Sequence, residues 1–281
     1  GTEPAESMLT VNEYIAEDYW SAVNGSSLPE NLQGVRSRAD EISEKYGVRI
    51  LLSSQCLPAC TFAEYPTTTT DQMDLADEAA SINAALDSLE EALSLYPAGF
   101  FPQFRSEFGD GGIRIMLVGG FESNFNMIGY SVQNSLWHNI YVDIFSEGLV
   151  GTYCHEIWHA TEDHITSINY GEFDVVQWAE LNPDGFQYIF DPAESILNEG
   201  DYTYFGSTKP KDCYFIDGYA KTNEREDRAR IMEYAMTGFF GSELSEYPHL
   251  YAKLRYMSDK IRQYFDTTGW STPRWEDALG E

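Results

Sequence analysis

The stretch His155-Glu156-Ile157-Trp158-His159 contains two histidines four residues apart, with a glutamate directly after the first. Positions i and i+4 lie on one face of an α-helix, so both imidazoles can reach a single metal ion. The glutamate can then reach a water molecule held by that ion. Apolar residues flank the motif on both sides and predict a buried amphipathic helix from about Ser146 to Asp163.

This HExxH spacing predicts a catalytic Zn²⁺ site, with His155 and His159 as metal ligands and Glu156 as general base. Two histidines that make ordinary hydrogen bonds are the alternative. A structural zinc site would favour a closed set of cysteine and histidine ligands. Cys154 precedes His155 directly and therefore points away from the two imidazoles on a helix.

The chain carries 17 Lys and Arg against 46 Asp and Glu, a formal net charge of −29 over 281 residues. A field of this sign repels nucleic acid and anionic lipid, so neither is an expected partner. No apolar run approaches the roughly 20 residues that a membrane helix needs. The first residues resemble a processed N-terminus, and a removed secretion signal would leave no trace.

Hydrophobic periodicity predicts an α+β fold with a small mixed sheet and a mostly helical C-terminal part. The strands are expected at 48–52, 112–118 and 139–144, and the other helices at 29–46, 71–95, 225–239 and 248–265, with an irregular tail from 267. Residues 1–28 are interpreted as an N-terminal segment that is partly linker. Residues 29–281 are interpreted as one domain, with a helical subdomain from about 165.

A catalytic zinc site needs a third protein ligand, and several residues are candidates. His164 lies one position away from the histidine of the metzincin pattern. Glu180 follows His159 by 21 residues with Asp184 four positions later, but Pro183 between them breaks a shared helical face. Further along, a helix after Thr222 or Asn223 would carry three candidates, which are Glu224, Glu226 and Glu233.

The stretch Phe215–Ala229 resembles the Y-A-x-T-N-x-x-E-D-x-A segment of zinc metallopeptidases found among bacterial surface lipoproteins. It is also similar to the corresponding segment of the lethal-factor protease domain. The resemblance covers this stretch and Cys154–Glu162, with only a general likeness before Leu149. It implies a zincin-like fold, with the sheet's edge strand packed on the motif helix, and a gluzincin-type hydrolase. In such a protease Glu226 is the third zinc ligand and Tyr219 stabilises the oxyanion.

These relatives usually carry a second glutamate four residues after the ligand, where this chain has Arg230. We therefore expect Asp227 or Glu162 to take over the support of the ligands. The resemblance also implies a secreted or cell-surface protein, with a lipid anchor as one option on a processed N-terminus. A catalytically idle relative that binds peptide or glycoprotein is the alternative function.

A peptide substrate is expected to add to an edge strand beside the motif helix, and the segment Asn139–Ile144 is the candidate. Trp137 and Tyr141 are then candidates to line side-chain pockets.

Four cysteines leave the redox state open. Cys56 could pair with Cys60, and Cys154 with Cys213, or all could be free thiols.

Overall fold

The computed structural model describes residues 28–61, 63–123, 126–134, 136–169, 175–192, 204–206 and 210–280. The expected N-terminal segment 1–28 lies outside the described residues, apart from Leu28. The elements form an α+β fold with a small mixed sheet, which confirms the expected fold class. Within the described residues, no helix combines the length and apolar character needed to cross a bilayer.

The principal elements alternate at first and become helical after the last strand. They are α1 (Gln33–Tyr46), β1 (Arg49–Leu52), α2 (Leu57–Thr61), β2 (Thr67–Thr68), α3 (Glu78–Ser94), β3 (Gly112–Val118), β4 (Gly120–Phe121), β5 (Gly129–Asn134), β6 (Trp137–Asp143), α4 (Leu149–Asn169), α5 (Val175–Ala179), α6 (Glu224–Thr237), α7 (Pro248–Tyr264) and α8 (Arg274–Asp277).

The described residues place four of these strands in one sheet, in the order β1-β3-β6-β5. The first three strands run parallel, and β5 pairs antiparallel with β6. The expectation that 139–144 forms the edge strand was therefore wrong. This segment belongs mostly to β6, which lies inside the sheet, and β5 forms the edge beside it. Only two residues separate β5 from β6, without the Asn-Gly pair that signals a tight hairpin in a sequence.

The two faces of the sheet enter different clusters of apolar side chains. Ile113, Ile115 and Leu117 alternate onto the face that packs against the helices. Met116 and Val118 point to the opposite face, where they meet Cys56 and Tyr141. The larger cluster extends from Leu28 to Leu279, so the late helices share one core with the early ones.

Most predicted elements are present, with shifted ends. The long helix α3 begins at Glu78 rather than near Asp71, because the Asp77 carboxylate accepts the Ala80 N–H at 2.9 Å and caps the helix there. Thr70–Gln72 forms a separate short 3₁₀ helix. The motif helix α4 extends six residues beyond the expected end at Asp163. The tail from 267, expected to be irregular, contains α8.

All four cysteines are free thiols, so neither of the two pairings is present. The Cys56 thiol lies 3.7 Å from the Leu117 carbonyl oxygen, inside the smaller cluster. Cys154 and Cys213 are both buried in the larger cluster.

A buried ion pair joins α6 to α7. The Lys253 ammonium lies 2.7 Å from an Asp227 carboxylate oxygen, and neither side chain is accessible to solvent. Lys253 also donates to the Tyr214 carbonyl oxygen at 2.8 Å, and the Tyr188 hydroxyl donates to Asp227 at 2.9 Å. Burial lowers the pKa of Lys253, although Asp227 opposes this shift. The pair fixes the start of α6 against the C-terminal helices.

We expect Lys253→Met to lower the free energy of unfolding by about 3–5 kcal/mol, because it leaves the Asp227 charge buried without its cation. Urea denaturation followed by circular dichroism measures the change. Lys211→Met is the matched control, since Lys211 pairs with Glu246 on the surface and its loss should change stability little. Equal effects of the two substitutions would contradict a structural role for the buried pair.

Candidate metal centre

Two histidines of α4 and one glutamate of α6 converge on a single point. The Nε2 atoms of His155 and His159 lie 3.2 Å apart. One Glu226 carboxylate oxygen lies 3.0 Å from the first Nε2 and 3.5 Å from the second. The three groups offer ligand atoms that all lie within 4.8 Å of one another. Two nitrogens and an anionic oxygen in this arrangement could hold a metal ion.

The start of α6 brings Glu226 to this point. The Asn223 side-chain oxygen accepts the N–H groups of Arg225 and Glu226, each at 3.0 Å, and so caps the helix. Of the two capping candidates in the sequence, Asn223 is therefore the N-cap. Burial works against the charge of Glu226, but His159 and His155 hold the pKa of its carboxyl group well below the usual value. The carboxylate is thus ionised, as a metal ligand must be.

Hydrogen bonds to two carboxylates dominate the protonation of His155. Burial lowers the pKa of its imidazole, but the contacts with Glu226 and Glu233 outweigh burial and raise the pKa to about 10. A metal that binds His155 would therefore have to displace a proton from the imidazole.

Glu156 lines the same cleft as His155, His159 and Glu226. Its side chain is buried, and one carboxylate oxygen has no hydrogen-bond partner among the described residues. Burial raises the pKa of Glu156 to about 7, while His155 and His159 act in the opposite direction. A carboxyl group with a pKa near neutrality can both accept and release a proton, as general acid–base chemistry requires.

Gly129, the first residue of the edge strand β5, leaves room for Glu156. A β-carbon at this position would lie 2.9 Å from a Glu156 carboxylate oxygen and 3.2 Å from its Cγ. The close contact shows that β5 passes immediately over the general-base candidate. A larger residue at 129 would displace either the strand or the carboxylate.

The outer support of His155 comes from Glu233, which accepts a hydrogen bond from His155 Nδ1 at 3.2 Å. The Arg230 guanidinium contacts the same Glu233 oxygen. Gly151, one turn before His155, makes this approach feasible, since a β-carbon there would lie 3.0 Å from a Glu233 oxygen. Glu233 is therefore placed behind a ligand rather than among the converging atoms, because its contact is with Nδ1 and not Nε2.

The expectation that Asp227 or Glu162 supports the ligands was wrong. Asp227 is held by Lys253 and Tyr188 on the other side of α6. Glu162 forms an ion pair with Arg228, and both side chains are at most 5 % exposed. Asp227 therefore connects α6 to α7, and Glu162 of α4 connects that helix to α6, instead of orienting an imidazole.

The other candidate ligands lie elsewhere. The His164 ring packs at a tilt against Phe104, with ring centroids 4.8 Å apart, and also contacts Phe265. Glu180 is exposed in the turn after α5, and Asp184 is exposed beyond it. Glu224 is the first residue of α6 and does not join the converging group.

Tyr219 lies in a short 3₁₀ turn, Tyr219–Lys221, on the wall of the site. The centroid of its ring is 6.3 Å from that of His155. Burial raises the pKa of the Tyr219 hydroxyl above its ordinary value, and the carboxylates of Glu226 and Glu156 act in the same direction. The hydroxyl therefore stays protonated and can donate a hydrogen bond.

A cleft of about 530 Å³ opens onto these groups. Its walls come from β5 and the residues before it, from α4, and from the Tyr219 turn with the start of α6. The lining residues outside the ligand set include Glu64, Tyr65, Asn126, Met127, Ile128, Tyr130, Ser131, Thr152, Asp217, Thr222, Arg225 and Arg230. Trp137 and Tyr141 do not line this cleft. The Arg114 Cζ atom lies 4.8 Å from the centroid of the Trp137 ring, and the ring centroids of Tyr141 and Tyr130 are 4.5 Å apart. The prediction that Trp137 and Tyr141 line substrate pockets was therefore wrong.

Comparison of the chain with models of protein families, with curated proteins and with solved structures gave no match. What the site can do therefore follows from its own residues.

Glu226→Ala should abolish stoichiometric zinc binding, because two imidazoles alone leave the ion without its anionic ligand. Metal content after dialysis against a zinc buffer, measured by elemental analysis, tests this. Glu224→Ala and Glu180→Ala are matched controls that remove a nearby or an exposed carboxylate and should keep the metal. Loss of zinc in either control with retention in Glu226→Ala would assign the ligand elsewhere.

Proposed function

We propose that this chain is a zinc-dependent peptidase of the gluzincin type, with a zincin-like arrangement of sheet and motif helix. The convergence of His155, His159 and Glu226 beside the unpartnered carboxylate oxygen of Glu156, at the base of an open cleft, carries the proposal. Tetrahedral ligands about 2 Å from zinc lie roughly 3.3 Å apart. The separations of 3.2, 3.0 and 3.5 Å between the three donor atoms suit that ion.

His155, His159 and Glu226 would hold the ion at the base of the cleft. When bound, zinc supplies a Lewis acid for the substrate carbonyl and makes water more acidic. Glu156 accepts the proton of the attacking water and then delivers it to the leaving amine, so that one peptide bond breaks as one water is consumed. Tyr219 donates a hydrogen bond to the carbonyl oxygen as that oxygen gains negative charge.

The substrate is proposed to be an extended peptide that adds to β5. This strand is at the edge of the four-stranded sheet, and its first residue contacts Glu156. An extended chain pairing with that edge would place its backbone over the general base, since main-chain hydrogen bonds fix the register. The formal net charge of −29 disfavours nucleic acid as a partner, because its phosphate backbone would be repelled.

A secreted or cell-surface location, with a lipid anchor as one option, belongs to the same proposal and rests on the resemblance of Phe215–Ala229. Arg230 stands where similar proteases carry a glutamate. This difference supported the alternative function, a catalytically idle relative. In the structure Arg230 contacts Glu233, which in turn holds His155, so the substitution is compatible with an intact site.

Glu156→Gln should lower kcat on peptides by about 10²- to 10⁴-fold, because the amide cannot accept the proton of water. Zinc content should stay at the wild-type level, since Glu156 is not a ligand. Cleavage of a peptide library by the zinc-loaded protein, analysed by mass spectrometry, gives the readout. A wild-type protein that holds zinc but cleaves no peptide would favour the alternative, a peptide- or glycoprotein-binding relative.

Tyr219→Phe should reduce kcat by about 10²- to 10³-fold with a smaller change in KM, because one donor to the developing oxyanion is lost. The control is Tyr251→Phe on α7, where the hydroxyl contacts Arg255. Steady-state kinetics on one cleaved peptide compares the two variants. An unchanged kcat for Tyr219→Phe would remove this residue from the mechanism.

A further inference from the structure

Arg230 lies between two parts of the site that the chain brings together from different elements. Its Nε and Nη2 donate to one Asp217 carboxylate oxygen, at 3.0 and 2.6 Å. Its Nη1 donates to Glu233. The Arg230 side chain is 19 % exposed, so most of this contact is shielded from water. A planar guanidinium can grip two carboxylates at once, which a single ammonium cannot do with the same geometry.

Asp217 belongs to the segment that carries Tyr219. The other Asp217 carboxylate oxygen accepts the Ala220 N–H at 3.0 Å. One carboxylate therefore folds the turn around Tyr219 and also binds Arg230. A displacement of Arg230 would release the Asp217 carboxylate from α6 and loosen this turn, which also has backbone hydrogen bonds of its own.

Glu233 belongs to the support of the metal ligands. The oxygen that contacts Arg230 also receives the His155 Nδ1 contact at 3.2 Å. A hydrogen bond at Nδ1 fixes the orientation of the ring whose Nε2 faces the ion. Four polar groups thus form one continuous chain from the tyrosine turn to the first imidazole.

We infer that Arg230 is a positioning residue that couples the turn carrying Tyr219 to the imidazole of His155. This inference rests on the proposed function, in which Tyr219 and the ion that His155 would hold act on the same carbonyl group. The guanidinium sets the separation between the hydrogen-bond donor and the metal ligand. Small displacements of positioned groups can lower rates by up to about 10²-fold, so the coupling should be measurable.

The two ends of the chain can be tested separately in the zinc-loaded protein. Asp217→Asn should lower kcat and leave zinc affinity unchanged, because only the tyrosine turn is released. Glu233→Gln should weaken zinc affinity by about 10- to 100-fold, because it alters the support of a ligand. Arg230→Met should do both. Arg230→Lys should restore zinc affinity but not kcat, since its ammonium can stay with Glu233 while losing Asp217.

A double-mutant cycle measures the coupling itself. The kcat of Arg230→Met with Asp217→Asn should be no lower than that of the slower single variant, because both changes break the same connection. Multiplying effects would overturn the inference. The inference would also fail if Arg230→Met had the same kcat and zinc affinity as the control Arg38→Met. That control removes an arginine of α1 that pairs with Asp87 of α3. Competition with a chromogenic chelator gives the zinc affinities.

Hydrogen exchange of the metal-free protein provides a readout independent of activity. In Arg230→Met the segment 217–222 should exchange several-fold faster, while α7 stays at the wild-type rate. Unchanged exchange at 217–222 would overturn the coupling. Asp217→Asn is measured alongside Arg230→Met, so the test remains decisive if Arg230→Met folds too poorly for kinetics. A wild-type protein with no zinc binding and no peptidase activity would refute the proposed function, and this exchange result would still decide whether Arg230 holds the turn.

Discussion

The packing of α6 against α4 is the constraint on which the site depends. It places one carboxylate, that of Glu226, within 3.5 Å of two imidazoles on another helix. Charged groups buried at such an interface need partners, or their desolvation would drive the helices apart. Arg228 pairs with Glu162 and Arg225 with Asp163, so two ion pairs on either side of Glu226 join the same two helices.

Further contacts fix α6 on its remaining sides. Asp227 binds Lys253 of α7, and Arg230 binds Asp217 of the preceding turn. A helix held by ion pairs in several directions has little freedom to rotate about its axis. Such a rotation would be the simplest way to move Glu226 away from the two imidazoles, so the ion pairs maintain the convergence of these three side chains.

Small residues provide the space that the site needs. Gly129 allows the edge strand to pass over Glu156, and Gly151 allows Glu233 to approach His155. Both close contacts join a group on one element to a backbone on another. The acidic composition fits this arrangement, because the acids at the site are used in ion pairs and imidazole contacts as well as at the surface. Net charge alone would not have distinguished these uses.

The amino-acid sequence by itself determined the local features of this protein: the HExxH helix, the strands at 112–118 and near 139–144, a helix cap at Thr222 or Asn223, and the α+β class. These depend on periodicity and on side chains a few residues apart, which a sequence displays directly. Which of Glu224, Glu226 and Glu233 converges with the two histidines, which strand forms the sheet edge beside them, and which groups Arg230 contacts were decided only by tertiary structure. Each depends on the rotation of a helix or on the order of strands, and distances between segments far apart in the chain are set when the core packs.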